Sequence, residues 1–341
     1  MWNAFGIIAG AVIALMTLRD VFETVVVPGG SKATLRVTHR LVFVFLPVWK
    51  IGRRGGGIST NFAPFILVAS FVIWMALLAV GFGLMAYALR HSFEPPLRSF
   101  FDALYLTASS LVTVGLSATD ATGPARWVII GAGFCGLAVM TMAVTYLLEV
   151  QNSVATRDTG IIKLNTSAGD PPSAVAMLEN YASTGNRGEL ARFLREARDW
   201  CTAVGQSHSS HPSLIYFRSV ATGSGWPAAL GVLLDLALFA HAVIDDDALR
   251  GPAVLLRADG LRMSRELANM ARLEPAIEET SEDELREAGR RLEAAGYRLK
   301  GGIDWLQLIH ERRRNSEWVT PMADHLGKPS APLLPGAPRT G

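Results

Sequence analysis

Three stretches of the chain are apolar for long enough to cross a bilayer, which takes about 20 residues of helix. Residues 63–89 carry no charge, and neither do residues 127–148. Residues 2–27 are apolar to Leu18 and then meet Arg19, Asp20 and Glu23. Arg19 and Glu23 stand four apart, so on a helix they share a face and pair. That pair is expected toward the end of the span rather than at its centre. Between the two uncharged spans, Ser99–Val112 is compatible with a helix but too short to cross. The run Leu41 to Ile51 is also too short and is interrupted by Pro47. It fits an amphipathic helix lying on the inner leaflet or a plain loop.

The pattern changes after residue 152. Residues 153–170 read as a polar connection ending at Asp170-Pro171-Pro172, and helical periodicity follows. Leu190, Phe193, Leu194, Ala197, Trp200 and Val204 form one apolar stripe, which predicts a core-facing helix. Residues 226–244 are apolar enough to suggest a fourth span, but Asp235 and His241 interrupt them and Asp245-Asp246-Asp247 ends them. A helix buried in a bundle is the expectation there. Ser281 with Glu284 has the spacing of a capping box and predicts one long helix to about Arg314. The Pro/Gly-rich end, residues 321–341, is expected to be disordered.

Charge sharpens this division. Residues 1–150 carry ten Lys/Arg and six Asp/Glu, against twenty-two and twenty-four in residues 151–341. A net charge of +2 gives no reason to expect a nucleic-acid partner. The two cysteines, Cys135 and Cys201, form no disulfide framework and fit a soluble half in a reducing cytosol. The segment 28–60 holds Lys32, Arg36, Arg40, Lys50, Arg53 and Arg54 with no acid, so the positive-inside rule places it in the cytoplasm. The N-terminus is then outside, residues 63–89 run outward, residues 127–148 return, and the C-terminal half is cytosolic. The organisation expected is a first helix (1–27), a basic linker (28–62), a two-span module (63–152), a helical cytosolic domain (153–320) and a tail (321–341).

Between the uncharged spans lies F-F-D-A-L-Y-L-T-A-S-S-L-V-T-V-G-L-S-A-T-D, residues 100–120. A short apolar helix followed by a glycine-bearing loop suits a re-entrant segment, because irregular backbone at membrane depth survives only where it lines a water-filled cavity. The order span, helix, T-V-G, span resembles the pore module of potassium channels. The segment V-T-V-G-L-S-A-T, followed by a span with Phe134, Gly136 and Thr141, also resembles one pore repeat of the Trk and Ktr potassium transporters. The resemblance implies a selectivity filter at Thr113, Val114, Gly115, Leu116 and Ser117, with monovalent cations held at Thr113, Val114 and Gly115. It implies a homotetramer in the cell membrane, a gating hinge near Gly136, and no cofactor beyond potassium ions in the filter. Close helix packing is the competing reading of Gly131, Gly133 and Gly136. The chain departs from T-V-G-Y-G-D in three places. Leu116 replaces an aromatic, Ser117 replaces a glycine whose left-handed conformation would cost a serine roughly 1–2 kcal/mol, and Ala118 replaces an acid.

Two weaker signals stand in the C-terminal half. Gly223-Ser224-Gly225 with Ala228 imitates a dinucleotide fingerprint, but no strand–helix repeat surrounds it and Pro227 interrupts it. Cys201, His208 and His211 could ligate a metal, yet no fourth ligand stands at a standard spacing. The segment from His208 to Ser219 suggests no chemistry by itself, and no catalytic constellation is evident. The expectation is an all-α membrane protein: three transmembrane helices, one re-entrant pore loop and a cytosolic helical domain. Its expected role is that of a non-enzymatic cation-channel subunit, potassium-conducting with modest selectivity. The alternative is a membrane sensor or scaffold with a vestigial pore.

Overall fold

A computed structural model describes residues 2–27, 37, 40, 41, 44, 45, 62–169, 171–185, 187–217, 223–276 and 278–335. The basic segment and its amphipathic run fall almost wholly outside these residues. The chain divides into two compact units, Met1–Gln151 and Asn152–Gly341.

The first unit is built on α1 (Trp2–Val25) and α2 (Phe62–Ala88). They cross where both lack side chains. A Cβ at Gly81 would lie 2.9 Å from Gly10 O. One at Gly10 would lie 2.8 Å from Met85 Cγ and closer still to Gly81 O. Small residues let helices approach in this way. Arg19 Nε meets Glu23 Oε1 at 2.7 Å in the last two turns of α1. Asp20, beside them, is fully buried and accepts from Trp74 Nε1 at 2.8 Å and Val37 N at 3.3 Å. The unit continues through β1 (Phe93–Glu94), α3 (Phe100–Leu111), β2 (Asp120–Ala121) and the first part of α4 (Ala125–Ala168). The two strands pair antiparallel, with Glu94 opposite Asp120.

The second unit contains the end of α4, then α5 (Ala174–Ser183), α6 (Arg187–Ser210), α7 (Gly225–Ala242), α8 (Asp247–Met270), α9 (Glu282–Ala294) and α10 (Trp305–Leu326). Among the described residues, four helices, α1, α2, α4 and α7, are long and apolar enough to cross a membrane. In α7, however, 83% of the apolar window is already buried by protein. Its single acid, Asp235, accepts from Arg312 Nε at 3.2 Å and Asn315 Nδ2 at 3.2 Å. A helix apolar all round with a satisfied internal ion pair is the core of a bundle. The α6 stripe packs into this same core, with Cys201 buried and its thiol pushed up to about 12 by desolvation.

Four expectations need correction. Residues 153–168 are helix, not a polar connection, because Val150, Ser153, Arg157, Ile161, Leu164 and Ala168 keep one buried face. The long helix expected from Ser281 is two helices, separated by left-handed turns at Gly296 and Gly302. Ser281 stands at the N-cap position but makes no side-chain capping bond. Residues 321–335 of the expected disordered tail are structured, and residues 336–341 lie outside the described residues. Residues 321–326 complete α10, Leu333 is fully buried, and its carbonyl accepts from Ser173 Oγ at 2.6 Å.

Candidate functional site

The loop after α3 is held by the end of that helix. Ser99 caps α3 at its start, accepting from Asp102 N at 3.2 Å while Asp102 Oδ2 accepts from Ser99 N at 2.9 Å. Inside α3, the Thr107 hydroxyl bonds Ala103 O at 2.9 Å and reaches Ala79 O of α2 at 3.3 Å. Ser110 Oγ donates to Ile129 O of α4 at 2.9 Å. The short helix is therefore tied by hydroxyls to both neighbouring spans. These bonds satisfy polar groups that hydrocarbon could not.

Beyond Leu111 the chain turns back on Ser109. Thr113 N donates to Ser110 O at 2.9 Å, and Val114 N and Gly115 N donate to Ser109 O at 2.9 and 3.2 Å. Leu116 N then donates to Ser109 Oγ at 2.7 Å. Four successive amides thus point at one end of α3. In a planar trans peptide the carbonyl of residue i points opposite to the amide of residue i+1. The carbonyls of Val112, Thr113, Val114 and Gly115 accordingly face away from α3, in a stretch whose residues are all exposed. Two residues make this possible by adopting positive φ, Thr113 at 59° and Gly115 at 70°. Glycine does so freely, whereas threonine bears a cost of about 1–2 kcal/mol, the kind of local strain found at functional sites.

The strained positions of this loop differ from the one expected at Ser117. Ser117 is not left-handed. Its hydroxyl instead turns inward on the loop, donating to Thr119 O and accepting from Thr119 N at 3.0 Å. Leu116 is 57% exposed. The residue that organises the loop, Ser109, was not singled out. Its signal was a serine pair inside an otherwise apolar short helix, at Ser109 and Ser110.

Gly136 sits against the base of this arrangement. A Cβ there would lie 2.6 Å from Leu111 C and 2.7 Å from Leu111 Cα, and closer still to the Leu111 carbonyl oxygen. At Gly133 it would meet Ser110 Oγ at 3.3 Å, and at Gly131 only Phe82 at 3.5 Å. Close packing thus accounts for Gly136 as the seat of the end of α3. A carbonyl-lined loop beyond the C-terminal end of a short helix favours a cation, since the helix dipole places partial negative charge there.

The weaker candidates do not assemble. Gly223 and Gly225 are left-handed residues in the turn that opens α7, and no strand flanks them among the described residues. No group of three metal-ligating residues forms among the described residues. His208 is buried, its Nδ1 lying 2.8 Å from Val204 O. Burial, with Arg157 nearby, pushes its pKa down to about 3. The segment that suggested no chemistry has a structural task. Leu214 O and Phe217 O accept from Arg157 Nη1 at 3.2 Å and Nη2 at 2.9 Å.

Comparison with known proteins bears on the segment that contains this loop. Residues 71–151 match the family described as "Ion channel", 81 of the 341 residues. The resemblance of this segment to pore-loop channels is thereby shown. No curated protein and no solved structure matches.

Proposed function

We propose, from the premise that residues 71–151 are an ion-channel domain, that four copies of this chain surround one cation pore. The observation that carries the reading is the turning of four successive amides, from Thr113 to Leu116, onto Ser109 and Ser110. It leaves the carbonyls of Val112 to Gly115 facing the other way, in a row. One such row cannot replace the hydration shell of an ion, whereas four around an axis can. Potassium is preferred over sodium modestly, because Leu116 and Ser117 provide no aromatic brace and no second glycine. Gly136 supports the filter, and opening by a hinge at that position must carry the end of α3 with it.

The same reading places α1, α2 and the first part of α4 across the cell membrane. The basic segment from Lys32 to Arg54 lies in the cytoplasm with the second unit, as the positive-inside rule requires. Monovalent cations and the bilayer are its partners, and no chemical step is assigned to it.

Flux from proteoliposomes under potassium and sodium gradients, with native mass measurement of the purified chain, tests the proposal. A tetramer is expected, with potassium flux exceeding sodium flux. Gly115→Ala is expected to abolish flux, since alanine resists the φ of 70° found there. A stable monomer or dimer as the sole species overturns the assembly. Normal conduction by Gly115→Ala overturns the filter, and silence in every gradient leaves the scaffold alternative.

A further inference from the structure

The second unit contains a concave site far along the chain from the filter sequence. His241 near the end of α7, Arg257, Arg262 and Arg265 on α8, and Arg314 and Trp318 on α10 line a cavity of about 480 Å³. Its positive charge is incompletely matched. Glu311 is shared between Arg257 at 2.7 Å and Arg314 at 3.6 Å. Asp259 is shared between Arg198 at 2.6 Å and Arg262 at 3.2 Å. Arg265 has no carboxylate partner among the described residues. Glu317 is the one acid on the cavity wall itself.

The surrounding charge has the same sign. Lys300 Nζ donates to His241 O at 2.6 Å. Desolvation lowers the His241 pKa first, then Lys300, Arg257 and Arg250 lower it further, and Glu311 opposes them. The imidazole therefore stays neutral near pH 7 and can accept or donate without adding charge. Beside the guanidiniums, Val254, Leu261 and the half-buried Trp318 supply an apolar part of the lining.

We propose that this cavity binds a phosphorylated organic anion. Arg265 and Arg314 hold the phosphate, Arg262 supports them, and Trp318 with Leu261 receives the organic part. Guanidinium forks match phosphate oxygens in pairs, which a lone surface lysine does not. The volume falls within the range of small-molecule sites, about 300–1,000 Å³, and exceeds what a bare phosphate fills. The shared chemistry is a phosphate monoester, supplied by a soluble nucleotide or by a phospholipid headgroup.

The test uses the full chain in phosphatidylcholine nanodiscs. Calorimetric titration is run with AMP, with soluble short-chain phosphatidic acid, and with inorganic phosphate. At least one ester should bind more tightly than inorganic phosphate. Tighter binding of AMP identifies a soluble ligand, and tighter binding of phosphatidic acid identifies a headgroup. Arg265→Gln and Arg314→Gln should each weaken that binding about tenfold, the loss of one charge-assisted hydrogen bond. Arg290→Gln, at an exposed position of α9, should leave it unchanged, and a melting curve for each variant confirms folding. Absence of binding by all three probes overturns the proposal. So does unchanged affinity in the Arg265→Gln, Arg314→Gln double variant. If that double variant instead loses its oligomeric mass, the cavity is a seat for a second copy of the chain, and the proposal also falls.

Discussion

Substituting alanine at Gly131, Gly133 and Gly136 in turn asks one helix face how firmly it supports the pore loop. Helix propensity alone favours all three changes by up to about 1 kcal/mol. Space decides otherwise. At Gly131 the new methyl stands 3.5 Å from Phe82, an ordinary contact, so the gain should survive. At Gly133 it stands 3.3 Å from Ser110 Oγ, a side-chain atom that can yield slightly at the expense of its bond to Ile129 O. At Gly136 the obstacle is backbone. Moving Leu111 C alone from 2.6 Å to an ordinary contact of 3.4 Å requires a shift of about 0.8 Å in α3 or α4, and the Leu111 carbonyl oxygen, closer still, requires more. Overpacking on this scale costs about 1–3 kcal/mol. If about 1.4 kcal/mol of it is relieved by displacing the loop, the conducting geometry loses about tenfold in occupancy. Thermal melting in detergent and liposome flux should therefore rank the variants, with Gly131→Ala slightly stabilised, Gly133→Ala near neutral, and Gly136→Ala destabilised with little flux. A Gly136→Ala protein that melts and conducts like Gly131→Ala would refute the packing argument.

Asp235→Ala should lower the stability of the second unit by about 3–5 kcal/mol, because it leaves Arg312 buried without its carboxylate; replacing Asp235 and Arg312 together by leucine and methionine should recover most of that loss in the same melt. His208 stays neutral in the fold down to about pH 3, while the unfolded chain protonates it near 6.5. Its share of stability is thus complete above pH 6.5 and lost as pH falls from there toward 3, at about 1.4 kcal/mol per unit. His208→Gln should flatten the dependence of melting temperature on pH across that window, and an unchanged slope would exclude it as the source. Glu94 and Asp120 face each other across β1 and β2, where like charges repel. Glu94→Gln with Asp120→Asn should reduce cation flux at about 10 mM salt but not at about 1 M, where the Debye length shrinks to about 3 Å; equal flux at low salt would deny these acids a role in concentrating cations.

Much of the first unit was legible because hydrocarbon imposes a simple code. Uncharged runs gave α2 and the first part of α4, and the short helix with its T-V-G loop stood out between them. The polar details were harder to read. Ser109 looks like any small residue in a pore-loop helix until the turn brings Val114, Gly115 and Leu116 back onto it. Asp20 reads as part of a charged span end beside Arg19 and Glu23, and only the arrival of Trp74 shows that it faces inward. The extension of α4 escaped notice because Ser153 and Arg157 occupy buried positions of its stripe, so hydropathy hid a periodicity that geometry preserves. A capping-box spacing at Ser281 promised a longer helix than the glycines at 296 and 302 allow.

The crossing of α1 and α2 also bears on how this chain can change over generations. Most close contacts between side chains can be repaired, since a residue that grows on one side can be answered by one that shrinks on the other. At Gly10 and Gly81 that route is closed. Each glycine lies against the other's main-chain oxygen rather than its side chain, and a carbonyl cannot be made smaller. A larger residue at either position therefore finds no second-site suppressor in its partner, and can be tolerated only if the two helices move apart along their shared face. Paired libraries at the two sites should consequently recover glycine at both positions, and not compensating pairs.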